Sequence, residues 1–158
     1  MDTKIQTKTG NLLHVKQGHI VHGCNAQGVM GSGVAVAVKE TYPAAYEEYR
    51  KQHEGTGLVL GVAYPVAVSS DLVIWNAITQ ATYGYGQRQI SYDAIETCFN
   101  QINTQLSGYN NALYNELHIP LIGAARGGGN WEIIREIIEQ TVTIPVTLWL
   151  PDSTVTTL

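Results

Sequence analysis

Runs of apolar, largely β-branched residues recur along the chain at residues 20–24, 58–68, 72–78, 118–123 and 145–150. Several lack polar alternation, the pattern of strands covered on both faces. Helical periodicity fills the intervals between them. Over residues 131–140, Ile133, Ile134, Ile137 and Ile138 form one apolar stripe, and Asn130 stands where an N-cap belongs. Residues 92–106 carry Ile95, Phe99, Ile102 and Leu106 at helical spacing behind Ser91, a second capping residue. Residues 43–52 open on Pro43, set Tyr46 and Tyr49 on one side and allow a Glu47–Lys51 pair. One stretch fits two periods. Val34-Ala35-Val36-Ala37-Val38 alternates like a strand, but Gly31 and Gly33 precede it and Lys39-Glu40 follow, which favours a helix buried on a sheet. Strands alternating with helices predict an α/β domain in three layers, α/β/α.

The chain's 158 residues suit one domain, 1–158, with no repeat or low-complexity linker to divide it. Apolar residues make up 44% and charged residues 14%, a balance that excludes disorder. The formal net charge is -4 and the nine Lys and Arg are scattered, so no direct binding of duplex nucleic acid is expected. Acidity leaves a nucleotide ligand open, because backbone amides bind phosphate without a cationic side chain. Cys24 and Cys98 form no CxxC, which predicts a reducing compartment and no zinc site. Met1-Asp2-Thr3-Lys4 shows no apolar signal core, and no run approaches the roughly 20 apolar residues that span a bilayer. The expectation is a cytoplasmic protein with no membrane partner.

Two segments carry candidate chemistry. In the first, an apolar strand ends at Asn25 and a loop with Gly28, Gly31 and Gly33 leads into the apolar helix. Glycines there let backbone N–H groups approach a phosphate, and the helix N-terminus adds partial positive charge. A plain connection needing positive φ angles would look the same. The P-loop is excluded, since no Gly-Lys-Ser/Thr follows, and the dinucleotide fingerprint lacks its third small residue at the proper place. In the second segment, Gly123-Ala124-Ala125-Arg126-Gly127-Gly128-Gly129 joins a strand to the isoleucine-striped helix behind Asn130 and Trp131. Arg126 offers a planar donor fork, or is simply a solvated surface arginine. Two such loops at the carboxyl ends of strands in one sheet would flank a single crevice and suit a diphosphate.

His22-Gly23-Cys24-Asn25 followed by Met30-Gly31-Ser32-Gly33-Val34-Ala35 resembles the first phosphate-facing loop of macrodomains. The resemblance extends through Gly10-Asn11-Leu12-Leu13, Tyr42-Pro43 and the glycine loop before Asn130-Trp131, covering nearly the whole chain. It is nearest the branch containing the yeast ADP-ribose 1″-phosphate phosphatase. It implies a three-layer α/β/α macrodomain-like fold with a central mixed sheet, and ADP-ribose or a derivative as ligand. ADP-ribosylated macromolecules extend the set of partners. Asn11 and Leu12 match the adenine end, with Asn11 where many macrodomains have aspartate. Asn25 matches the asparagine at the distal ribose. Gly31, Ser32, Gly33, Val34 and Ala35 match the amides around the distal ribose and diphosphate. Ala124, Ala125, Arg126, Gly127, Gly128, Gly129 and Asn130 match the second phosphate loop. His22 matches a histidine whose implied role is phosphate removal, with Asn25 beside it as the other catalytic candidate. Tyr83 and Tyr85 fall in a stretch that could line the site.

Departures from the family limit the chemistry. Hydrolases that cleave ADP-ribose from glutamate place a lysine nucleophile and an aspartate where this chain has Gln80 and Asn130. Neither amide forms a Schiff base or shuttles protons. His19 and His22, three apart on a strand, face opposite ways and would not share a metal; neither metal nor cofactor is expected. Cys24 reads as a small buried filler, with no adjacent base to activate it. The readings that remain are a phosphatase for ADP-ribose 1″-phosphate, a binding module that sequesters ADP-ribose or a related nucleotide signal, and a de-ADP-ribosylating hydrolase.

Overall fold

The computed structural model describes residues 5–83, 88–108, 115–124 and 127–152. The elements are β1 (Ile5–Thr9), a 3-10 turn (Leu12–His14), β2 (Gly18–Asn25), α1 (Gly33–Thr41), α2 (Pro43–Glu54), β3 (Ala63–Ala67), β4 (Leu72–Gln80), α3 (Tyr92–Leu106), β5 (Leu117–Ile119), α4 (Trp131–Thr141) and β6 (Val146–Leu150). The strands form one sheet in the order β1-β6-β5-β2-β4-β3. All neighbours are parallel except β3, which runs antiparallel to β4 at the edge. The mixed sheet and the three layers agree with the sequence reading.

Side-chain alternation along β2 and β4 divides the core. Ile20, Leu72 and Ile74 pack with Val38 of α1, Ala45 of α2 and the 3-10 turn's Leu12 and Leu13. Val21, Trp75 and Ala77 face the other way, into the core of α3 and α4. The alternating stretch 34–38 is helical, as its flanks predict. A strand there would have exposed a new edge, whereas a helix buries Val38 completely.

Several local expectations are corrected. The run 58–68 is a strand only over Ala63–Ala67, because residues 55–62 form the turns that reverse the chain into antiparallel β3. In α4 the core takes Ile134 and Ile138, while Ile133 is exposed. Lys51 pairs with Glu48 at 3.1 Å rather than with Glu47. No strand was expected at β1. Its residues beyond Ile5 are exposed and polar, as an edge strand permits. No helix among the described residues is long and apolar enough to cross a membrane.

Candidate ligand-binding site

The parallel strands β1, β6, β5, β2 and β4 all end at the same edge of the sheet, so the loops that follow them share one crest. Asn11 lies after β1, residues 120–130 after β5 and residues 26–32 after β2. Three interstrand spacings separate β1 from β2, about 14 Å. The sites matched by sequence to the two ends of one elongated ligand therefore lie along a single edge.

The first loop is braced from below. Tyr49, buried on α2, donates its hydroxyl to the Asn25 carbonyl (2.6 Å) and to Asn25 Oδ1 (3.0 Å). Asn25 Oδ1 also accepts from the N–H groups of Gln27 (3.0 Å) and Val29 (3.3 Å), and Nδ2 donates to the Val29 carbonyl (2.8 Å). Arg50 Nη1 donates to the Gly28 carbonyl (3.1 Å). Gly28 has φ +78° and lies so close to Arg50 and His53 that a Cβ would collide with both at 2.7 Å. The loop then rises to Gly31 and Ser32, both exposed. Ser32 occupies the N-cap position of α1, yet its hydroxyl makes no capping bond and the first turn holds no acidic side chain. The opening N–H groups of α1 face the crest with no side-chain oxygen upon them, which is the condition for binding an anion.

The second loop is built differently. Gly127 accepts at its carbonyl from Gln89 N–H (2.7 Å) and Ile90 N–H (3.2 Å), and Gly129 N–H donates to the Gly123 carbonyl (2.8 Å). A Cβ on Gly127 would lie 2.2 Å from Ile90 Cγ2, and one on Gly129 2.8 Å from the Gly123 oxygen. These glycines are required by close packing. Gly128, with φ +74°, is exposed. Asn130 caps α4, its Oδ1 accepting from Glu132 N–H (2.8 Å) and Ile133 N–H (3.4 Å). Ala124 is half-buried after Gly123; Ala125, Arg126 and Tyr85 lie outside the described residues, as do residues 1–4.

His22 lies beneath the crest, not on its surface. Its ring is completely buried on the α2 side of β2, and its Nε2 donates to Asn76 Oδ1 at 2.7 Å. Asn76 is held in turn by donating to the Ala45 carbonyl (3.1 Å). Burial, only partly offset by the Asn76 bond, pushes the imidazole down to about 4. Acid–base work by this ring would require it to become accessible from the crest. Alternation explains the placement: three residues back from the strand's end, position 22 faces the α1 and α2 layer. Cys24 is buried beside it, and burial raises its thiol far above the usual range. Asn11 caps the 3-10 turn by accepting from Leu13 N–H (2.9 Å), and Leu12 is buried under it. Sequence reasoning did not find Tyr49, Arg50 or Ile90 as supports of these loops. Tyr49's apolar helix face was visible, but its partner was not.

Comparisons with known proteins agree with this architecture. The family model described as Macro domain matches residues 21–138. An uncharacterized 17.5 kDa protein of Enterobacteria phage T4, from its tk-vs intergenic region, is 30% identical over 125 residues, 77% of each chain. The ADP-ribose 1″-phosphate phosphatase of Neosartorya fischeri is 43% identical over 51 residues, 32% of this chain and 26% of that protein. The match thus spans about a quarter of the fungal enzyme's length. Among solved structures, a macrodomain protein from Streptomyces coelicolor superposes with a TM-score of 0.76 at 26% identity, covering 93% of this chain and 99% of that one. Thermosipho africanus DarTG in complex with ADP-ribose shares the fold at 18% identity, with a TM-score of 0.74 over 100% of this chain and 45% of that one.

Proposed function

Since the chain belongs to the macro domain family, we propose that it binds ADP-ribose or a close derivative along the crest between the first and second glycine loops. The observation that carries this reading is the uncapped start of α1 beside Gly31 and Ser32. Those N–H groups would take the diphosphate, aided by the helix dipole. The second loop would close over it from the neighbouring strand β5. Asn25 would orient the distal ribose through the Nδ2 hydrogen that its loop bonds leave over, and Asn11 and Leu12 would meet the adenine.

The finer reading is hydrolysis of the terminal phosphate of ADP-ribose 1″-phosphate. The partial likeness to the fungal phosphatase supports it. With His22 buried, the reaction would rest on charge stabilisation by the amides of residues 31–35 and on a water positioned at Asn25. Binding without turnover is the second reading, and a specific observation favours it: the crest's carboxamides at Asn25, Gln80 and Asn130 exchange no protons at neutral pH. Asn130, further, is occupied in capping α4. Incubating the protein with ADP-ribose 1″-phosphate decides between them. Release of inorganic phosphate that Asn25→Ala abolishes supports the phosphatase. Tight binding of ADP-ribose with no product after long incubation supports the binding module.

A further inference from the structure

Trp149 of β6 and His118 of β5 lie on the face of the sheet that α1 and α2 share. His118 stands in register with Ile20 and Thr147, and the indole of Trp149 packs against the cluster of Leu12, Leu13 and Ile20. The indole Nε1 donates to His118 Nδ1 at 2.9 Å. An indole N–H can only donate, so the bond requires an unprotonated Nδ1 and places the neutral ring's proton on Nε2. Nε2 lies 3.8 Å from Glu116 Oε1, and that carboxylate is itself held by the Thr147 hydroxyl at 3.1 Å.

The far end of the indole meets the turn that follows β1. Gly10 takes φ +151°, and a Cβ there would lie 3.1 Å from Trp149 Cζ3. Its N–H donates to the Leu150 carbonyl (2.8 Å). Asn11 comes next and caps the 3-10 turn through Leu13 N–H. The indole thus reaches from β5 to the turn that carries Asn11, with its one nitrogen held by a histidine.

We infer that Trp149 is a positioning residue for the Asn11 end of the crest, and that His118 holds it in place only while the imidazole is neutral. The assignment rests on the reading above, in which Asn11 and Leu12 meet the adenine. Protonation sets an N–H where the indole N–H already points, so two donors face each other and the bond is lost. The indole is then free to tilt, and the Gly10 turn loses the surface it lies on. Among the described residues, the charged groups acting on His118 are Glu116, just ahead of its own strand, and Lys8 of β1. β6 faces it with Thr147 and Trp149, and β2 with Gly18 and Ile20, none of which titrates. His19 of β2 is turned to the opposite layer, where it accepts from Trp75. Burial holds the His118 imidazole below its ordinary 6.5, against the pull of Glu116 and with the push of Lys8. Ligand binding favours the neutral ring, so affinity is full above pH 6.5 and declines as pH falls through the lowered value.

Calorimetric titration of the full chain with ADP-ribose, which has no group titrating between pH 7.5 and 5, tests this. Wild-type affinity is expected to fall about fivefold over that range. His118→Asn puts an acceptor that takes up no proton in the place of Nδ1, and should keep the wild-type affinity of pH 7.5 throughout. Trp149→Phe should be about fivefold weaker at pH 7.5 and lose nothing further in acid. In the ligand-free protein the Trp149 indole N–H resonance should shift over the same range and stay fixed in His118→Asn. Wild-type affinity that is level with pH, or a decline that His118→Asn retains, overturns the inference. Should His118→Asn fail to fold, a decline in Trp149→Phe as steep as in wild type overturns it equally. Wild-type protein that binds no ADP-ribose at any pH overturns the crest reading; an indole resonance that still follows His118 separates that failure from a failure of the Trp149–His118 contact.

Discussion

The two crest loops look alike in sequence, each a glycine-bearing link from strand to helix, yet they are held by opposite means. Residues 26–32 are suspended from side chains: Asn25 organises the turn, and Tyr49 and Arg50 of α2 hold its carbonyls. Residues 127–129 are held by the absence of side chains, with Gly127 and Gly129 pressed against Ile90 and the Gly123 carbonyl. The helices they open differ in the same sense. Asn130 consumes the first free N–H groups of α4, whereas α1 begins with none taken by a side chain. A glycine run before a helix therefore does not by itself mean an anion site; what matters is whether the helix start is already satisfied.

The sharpest way to break this contrast is to add one methyl group to each loop. Gly127→Ala should destabilise the protein by more than about 3 kcal/mol, because the Cβ meets Ile90 at 2.2 Å and a backbone carbonyl at 2.8 Å. Gly31→Ala meets only Val29 Cγ1 at 3.3 Å and should cost well under about 1 kcal/mol. Urea unfolding of the pair measures both; equal losses would mean that the loops are not built differently.

Acid comes next in size, acting on the strand beneath the first loop. The folded pKa of His22, about 4, lies below its ordinary 6.5, so the unfolded chain takes up the proton first as pH falls. The stability this contributes is complete above pH 6.5 and is lost as pH falls towards 4, a span of roughly 3 kcal/mol. Urea midpoints measured from pH 7 to 4.5 should fall, and His22→Gln should flatten the decline. A decline unchanged in that variant would remove His22 as its source.

Tyr49→Phe removes the hydroxyl that holds Asn25 and should cost about 1.5 kcal/mol. Hydrogen exchange of the Gln27 and Val29 amides should quicken, while the amide of Gly129 keeps its protection. A smaller effect than that of Tyr49→Phe belongs to Asn130→Ala. Loss of the α4 cap should cost about 1 kcal/mol in thermal unfolding, and ADP-ribose affinity should hold if, as proposed, the anion cradle lies at α1. A tenfold loss of affinity there would shift the cradle to the second loop.

Much of this was readable from residue order. α3 was bounded by Ser91 and its Ile95, Phe99, Ile102 and Leu106 spacing, and that helix runs over Tyr92–Leu106 with Ala94 N–H bonded to the serine. The cap at Asn130 and the two loops could be read because cap chemistry and glycine placement are local signals. Edge strand β1 could not, since its pairing with β6 depends on residues 146–150, far along the chain. The burial of His22 was not legible for a related reason. Its proximity to Asn25 in sequence suggested proximity to the ligand, but strand alternation turned it towards Asn76, a partner 54 residues away. Trp149 gave no local signal as a partner of His118, because their bond joins two strands at a separation of 31 residues.

The central claim is that the start of α1, not of α4, receives the ligand's phosphates. Backbone amide resonances followed by NMR during titration with ADP-ribose test it most directly. The account predicts the largest shifts at Gly31, Ser32, Gly33, Val34 and Ala35, with the amides of Glu132 and Ile133 much less affected. Shifts concentrated at Glu132 and Ile133, or on the outer faces of α3 and α4, would contradict it.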